Sequence, residues 1–509
     1  MNQASIANDG ASPVTRVRLL LVSGFLLPLV CGLVFFWPDR TIPNVDDLFF
    51  IPWAMEWAGT GRHWNSLLAV QFPELQSYHL QPRLHMVLAG GFFAVAGTGT
   101  TALVLFEFLC YGLTSLAFVA ICLRLNLRLA AMFTPLLFAP AFVVAGFRLE
   151  LTGSLLFLTG LLVSLPLIQS EGPGDGSRYR TGVGVFGKFL LATAPLAAPA
   201  VFAWSLGAIA MIEIARLASR QAGPVRLAVE GLAALGLALL VFAVSVDFEF
   251  AAFFEQFAYH ASRSTGGGFN DEAIFRAVLF AAAAGIVYRK ARAAALLCAS
   301  LAAGQFLAAF LHDKALIRNL AASMVFLVAV DAAFSAHRAR AKAVLFALLF
   351  GVLSFNFVSF YLLSTPAGNA KDVAAAYSRD LAAGRRVFID EIMAHHYLDQ
   401  QTDGALAWTW GGTFPKGRPT RTADLEDGDV WYVSEYTLLG YLKGHHDTAK
   451  TLWPDPQYRR VPQIPCVLGR QSCNLPQERW TMMRLERTAG RVLAEKLGEG
   501  AGPRVLEAD

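Results

Sequence analysis

Charge is what this chain has least of. Only 16% of its 509 residues are Asp, Glu, Lys or Arg, where a soluble protein carries roughly a quarter. Apolar residues make up 55% of the sequence, and the mean hydropathy is +0.47. The net charge of +4 is small, and the basic residues sit in short loops between apolar runs, so nucleic-acid binding has no support. Residues 364–509 hold no phosphate-cradling glycine loop and no Cys/His set at metal-ligand spacing. His395, His396, His445 and His446 there read as solvated surface histidines. The chain also lacks an internal repeat, which argues against the repeated halves of many transporters. Cysteine is scarce too. Cys31, Cys110, Cys122 and Cys298 fall in apolar segments and read as packing residues. Cys466 and Cys473 form a disulfide only if the tail faces an oxidising compartment, and the sequence leaves that pairing open.

What is abundant is apolar sequence in runs long enough to cross a bilayer, roughly 20 residues each. The first run, Leu19 to Trp37, follows Arg16 and Arg18. Phe35-Phe36-Trp37-Pro38-Asp39 offers no small-residue cleavage site, so this is an uncleaved first helix with its N-terminus inside. Basic clusters at Arg16/Arg18, Arg124/Arg128, Arg178/Arg180, Arg216/Arg220/Arg226, Arg289/Lys290/Arg292 and Arg338/Arg340/Lys342 mark cytoplasmic loops. Keeping them all on one side requires an even number of crossings between neighbours. That condition makes Leu84 to Ala96 a non-crossing interfacial or re-entrant helix, and breaks the long run 182–215 near Ala197-Ala198-Pro199.

The spans are then 18–37, 100–123, 127–147, 150–169, 183–198, 200–216, 226–246, 272–288, 293–311, 315–335 and 343–363. The expected fold is a polytopic α-helical membrane protein of about eleven crossings, residues 1–363, with an external loop 38–99. A soluble α/β domain over 364–509 follows on the extracytoplasmic side. Arg386–Asp390 and Asp429–Val433 read as its short buried strands.

Ionisable residues gather on the outer side of this topology, where a catalytic or binding cavity would sit. Asp46 and Asp47 open an aromatic juxtamembrane helix, Leu48-Phe49-Phe50-Ile51-Pro52-Trp53. Either Asn44 or Asp46 alone would cap it, so a second acid points beyond capping to acid–base work. Arg148 and Glu150 flank the outer end of the third span, aimed at one cavity or simply paired with each other. His260 and Arg263 close a short interfacial helix, from which they can hold a phosphate or serve only as loop surface. Lys314 and Arg318 share a helix face, where two cations suit a lipid phosphate. Glu107 and Lys188, inside spans, are expected to be paired or snorkelling.

The order of these features resembles the GT-C superfamily of polyprenyl-phosphate-sugar-dependent glycosyltransferases, in particular bacterial members similar to protein O-mannosyltransferases and aminoarabinose transferases. The matching segments are Asp46-Asp47 after the first span, with Phe49, Ala54 and Gly59 in register; His79-Leu80-Gln81-Pro82-Arg83-Leu84 leading to a short helix that ends at Gly97; Arg148-Leu149-Glu150; the aromatic, His and Arg loop 253–263; and Lys314 to Arg318. Two departures bear on the sugar: Ala192-Thr193-Ala194-Pro195 stands where relatives often have Thr-Lys, and Leu80-Gln81 where aminoarabinose transferases have an acidic–basic pair. The resemblance implies inverting transfer from a polyprenyl-phosphate sugar to a lipid, glycan or protein hydroxyl in a bacterial inner membrane. Asp46 and Asp47 are then the catalytic residues, and Arg148, Glu150, His260, Arg263, Lys314 and Arg318 the substrate-binding ones. No metal ligand is assigned, and a divalent metal is compatible with the carboxylates but not required. Membrane lipids are further partners. A transporter, a polymerase or ligase of lipid-linked glycans, and a membrane scaffold are the rival classes.

Overall fold

The computed structural model describes residues 13–36, 47–64, 77–79, 83–98, 100–135, 147–169, 178–263, 270–288, 291–311, 315–334, 344, 347–348, 351, 370–389, 406–407, 422, 425–434, 458–460, 474–476, 482–497 and 504–506. Helices dominate the first two thirds. They are α1 (Pro13–Phe36), α2 (Asp47–Thr60), α3 (Leu84–Ala96), α4 (Thr100–Arg124), α5 (Glu150–Gln169), α6 (Arg178–Ala197), α7 (Phe202–Ala218), α8 (Pro224–Ser245), α9 (Phe250–Arg263), α10 (Asp271–Tyr288), α11 (Arg292–Ala308) and α12 (Ala315–Phe334). Five described helical segments are long and apolar enough to cross a membrane: α4, α5, α7 with the turn before it, α8 and α12. Leu232, Leu235, Leu239 and Val244 stand exposed along α8, a surface suited to lipid tails. The protein is an α-helical membrane protein.

Two expected irregularities have physical causes. The apolar run 182–215 does break: α6 stops at Ala197 and a 3-10 turn, Pro199–Val201, leads into α7. Pro199 has no N–H to continue the ladder and disfavours helix in the residue before it, so Ala198 is extended (φ −143°, ψ 105°). The helix expected over Leu84–Ala96 is α3, with those bounds. It stops because Gly97 takes φ 93°, from which its N–H reaches back to Phe93 O.

In the bundle, α1 packs on α4, α4 on α5, α5 on α6, α6 on α8, and α11 on both α7 and α10. α7 and α11 approach backbone to backbone. A Cβ on Gly207 would lie 2.5 Å from Gly304 N, so only glycine fits at that crossing. At the end of the basic loops, Glu230 of α8 accepts from Arg216 (2.6 and 3.2 Å), Arg226 (3.1 Å) and Lys188 (3.2 Å), and Lys188 also meets Glu213 at 3.1 Å. Buried charges are retained there because they are mutually paired. Asp331 of α12 likewise takes the N–H of Ala130 at 3.0 Å, near the start of the helical segment 128–135.

The C-terminal residues carry α13 (Ala370–Ala382), β1 (Val387–Ile389), β2 (Leu406–Ala407), β3 (Val430–Ser434), β4 (Tyr458–Arg460), β5 (Asn474–Pro476), β6 (Met482–Thr488), β7 (Arg491–Lys496) and β8 (Arg504–Leu506). One six-stranded sheet runs β2-β1-β3-β6-β7-β8, parallel from β2 to β3 and antiparallel beyond, while β4 and β5 pair separately. Strands β1 and β3 fall on the two segments whose apolar character marked them as buried. Helix α13 is joined to the sheet by Asp380, which accepts from Tyr432 Oη (2.7 Å) and from Arg484 (2.7 and 2.8 Å).

Candidate active site

The first turn of α3 lies where several chain segments meet, at the end of the bundle opposite the basic loops. Arg83 is the N-cap residue of α3 and makes no side-chain cap bond. It is fully buried, its guanidinium 5.0 Å from the centroid of Trp53 on α2. None of its three side-chain nitrogens has a hydrogen-bond partner among the described residues. Such a group demands explanation, because buried polar atoms are nearly always paired.

Around Arg83 two histidine–carboxylate contacts join distant parts of the chain. His63 Nε2 lies 2.9 Å from Asp247 Oδ2, and His79 Nε2 is 2.5 Å from Glu249 Oε2. Ser77 Oγ also donates to Glu249, at 2.7 Å. Gln256 of α9 accepts the His79 N–H (2.6 Å) and donates to Ser77 O (2.9 Å). The segment 77–79 is thereby fastened to the corner between α8 and α9. That corner puts Asp247 and Phe248 at φ 50° and 62°, a conformation costing about 1–3 kcal/mol for such residues, and it carries both carboxylates.

Burial sets the electrostatics. It lowers His63 to about 3, with Arg83 adding to the effect. It lowers His79 to about 4, again helped by Arg83 and only partly opposed by Glu249. Both imidazoles are therefore neutral at neutral pH. Burial also pulls Arg83 down to about 9, against the pull of Glu249 and Asp247, which leaves it protonated. Asp247 is raised by burial, with Arg83 opposing. For Glu249 burial acts upward too, but the Ser77 and His79 hydrogen bonds outweigh it and the carboxyl ends below its usual range.

Two residues on, His85 points into a second cluster. Its Nδ1 is 2.9 Å from Thr152 Oγ1 of α5, and its ring packs among Phe50, Phe106 and Phe147. Arg148 and Glu150 lie beside it at the start of α5 and pair with each other, Nε to Oε2 at 3.2 Å, with Glu150 buried. Of the residues singled out from sequence, this pair is in direct contact. Asp47 is the first residue of α2. Asp46, Lys314 and the side chains of Asp47, His260 and Arg263 lie outside the described residues, although His260 and Arg263 belong to the last turn of α9. Arg318 is half-buried on the first turn of α12. Among the described residues no group of three or more His, Cys, Asp or Glu is placed to hold a metal ion.

Sequence reasoning did not single out His63, Ser77, Asp247, Glu249 or Gln256, and it took His79 and Arg83 only as parts of a longer segment. The available signal was His79, Gln81 and Arg83 at alternate positions directly ahead of an apolar helix.

The chain is similar in structure to ArnT from Cupriavidus metallidurans, solved bound to undecaprenyl phosphate, with a TM-score of 0.52, 14% identity, and coverage of 89% of this chain and 97% of that chain. At that identity the likeness is one of fold. No protein-family model matches the sequence, and no curated protein sequence matches it.

Proposed function

We propose that the protein is an integral-membrane inverting glycosyltransferase, moving a sugar from a polyprenyl-phosphate donor to an acceptor hydroxyl on the extracytoplasmic face of a bacterial inner membrane. The observation that carries this reading is the convergence of three helix starts. Asp47 opens α2, Arg83 precedes α3, and Arg148 and Glu150 stand at the start of α5. Trp53 stacks α2 on Arg83, and the His85–Thr152 contact joins α3 to α5. Fold alone does not define a reaction, but carboxylates and cations at one end of an apolar bundle suit a reaction between a lipid-bound phosphate ester and a water-soluble or lipid hydroxyl. The lipid phosphate present in the ArnT structure supports the same donor class.

In the reaction the acceptor hydroxyl gives its proton to Asp46, with Asp47 orienting the pair, and its oxygen bonds to the anomeric carbon with inversion. The bond from that carbon to the phosphate oxygen breaks, and the electron pair leaves with the lipid phosphate. Charge growing on that phosphate needs cations, for which Arg148, His260, Arg263, Lys314 and Arg318 are the candidates. Glu150, held by Arg148, contacts sugar or acceptor. In this reading residues 1–363 form the catalytic module and 364–509 an extracytoplasmic α/β domain.

The test is transfer of radiolabelled sugar from a panel of polyprenyl-phosphate sugars in membranes holding wild type, Asp46→Asn or Asp47→Asn. Loss of a general base costs about 10²–10⁴-fold, so transfer should collapse in Asp46→Asn at normal protein levels. Undiminished transfer in both variants would remove the acidic pair from the mechanism.

A further inference from the structure

Arg83 is the most expensive unpaired group among the described residues. A buried guanidinium without acceptors forfeits its hydration and gains nothing in return. Asp247 and Glu249 attract its charge, but no atom around it among the described residues accepts a hydrogen bond from it. Trp53 offers a ring face at 5.0 Å, His63 and His79 carry no charge at neutral pH, and Glu249 is bonded to His79 and Ser77 instead. Nothing in packing calls for an arginine here, since an apolar side chain of similar length would stack on Trp53 without the penalty.

What Arg83 presents is a planar fork of donors, shaped for two parallel bonds to the oxygens of a phosphate. It stands at the start of α3, where backbone N–H groups and the helix dipole also favour an anion, and no side chain occupies the cap. The neighbouring carboxylates narrow the choice. Asp247 and Glu249 are near enough to act on the Arg83 charge, so they also repel a multiply charged ligand. They oppose a diphosphate more than a phosphodiester with a single negative charge.

We propose that Arg83 binds the phosphate of a lipid phosphodiester carrying one negative charge, with Trp53 and the first turn of α3 completing the site. The inference rests on the glycosyltransferase reading for one possible identity of that lipid, the sugar donor. The same chemistry is offered by the headgroup of phosphatidylglycerol.

The experiment measures binding of tritiated decaprenyl methyl phosphate, a sugar-free phosphodiester, to the full-length protein in phosphatidylcholine nanodiscs. Decaprenol is the uncharged comparison. Wild type should bind the phosphodiester at least about tenfold more tightly than the alcohol, and Arg83→Gln should weaken it by roughly ten- to a hundredfold, the loss typical of charge-assisted hydrogen bonds. If excess phosphatidylglycerol leaves the bound ligand in place, the site belongs to the polyprenyl lipid. If it displaces the ligand, the anion site stands and its occupant is a headgroup.

Equal binding of decaprenol and the phosphodiester by wild type overturns the proposal, as does unchanged affinity in folded Arg83→Gln. Should Arg83→Gln fail to fold, Arg83→Lys decides. It keeps the charge but loses the fork, so weaker binding supports the proposal and equal binding refutes it. No sugar transfer is involved, so the two readings fail separately. Arg83-dependent binding without transfer on any donor leaves the anion site and removes the enzyme, whereas full transfer by Arg83→Gln leaves the enzyme and takes its donor out of the Arg83 site.

Discussion

A single methyl group on α3 should separate the architecture of the site from mere stability of the bundle. Gly90 lies where α2 crosses α3. A Cβ there would stand 2.5 Å from Cε3 and 3.3 Å from Cδ2 of Trp57, and 2.9 Å from the carbonyl oxygen of Ala54. The indole can rotate a little, but the Ala54 oxygen is helix backbone and cannot, so Gly90→Ala has to push α2 outward. Overpacking of this kind costs about 1–3 kcal/mol, which a membrane bundle of this size survives. A catalytic effect comes on top of it. Helix α2 begins at Asp47 and holds Trp53 over Arg83, and displacement of reacting groups by about 1 Å costs on the order of a hundredfold in rate. Gly91 is the control, because it is exposed and a Cβ there meets nothing within 4 Å. Gly91→Ala should gain about 0.5–1 kcal/mol from helix propensity. Transfer rate and thermal unfolding would be measured for both proteins in detergent. Matching transfer rates in the two variants would show that α2 does not position the chemistry.

Acidification should loosen the segment 77–79 from the α8–α9 corner. The unfolded histidines bind protons near 6.5 and the native ones only near 4 for His79 and 3 for His63. Their contribution is thus complete above about pH 6.5 and lost as pH falls toward 4, up to roughly 3 kcal/mol for His79. Hydrogen exchange over 77–90 should accelerate at pH 5 relative to pH 7.5 once intrinsic rates are removed; constant protection would contradict the assignment of neutral histidines. At the other end of the bundle, Glu230→Ala leaves Arg216 and Lys188 to share Glu213 and should cost about 3 kcal/mol. An unaltered melting temperature would mean that this network is not held in the protein as described.

The parts of the fold that were legible are those dictated by length and local chemistry. Leu84–Ala96 forms a short helix with the expected bounds, and Gly97 marks where it stops. The break before α7 followed from charge parity and from Pro199. Lys188, expected to be paired inside the bundle, meets Glu213 and Glu230. Site contacts were legible only at close sequence range. Arg148 and Glu150, two positions apart, do meet. By contrast, His79 and Glu249 are 170 positions apart, and Gln256 reaches Ser77 over 179. No periodicity encodes such contacts. They depend on how α8 returns to the start of α3 and on the left-handed backbone of Asp247 and Phe248, which neither residue type announces.

The two concentrations of charge in the bundle obey opposite rules, and the contrast locates the chemistry. Glu230 is surrounded by Arg216, Arg226 and Lys188, and Glu213 takes up the remaining positive charge. That network braces α6, α7 and α8 against one another, and of its buried side-chain atoms only Arg216 Nε and one Glu213 oxygen lack a hydrogen-bond partner among the described residues. At the opposite end Arg83 is as deeply buried and has no acceptor among the described residues, while Glu249 bonds to His79 and Ser77. In a low-dielectric interior an unpaired charge is costlier than the same charge in a pair. A fold keeps such a group where something outside the chain supplies the missing partner. The closed network therefore belongs to the architecture, and the open guanidinium to function.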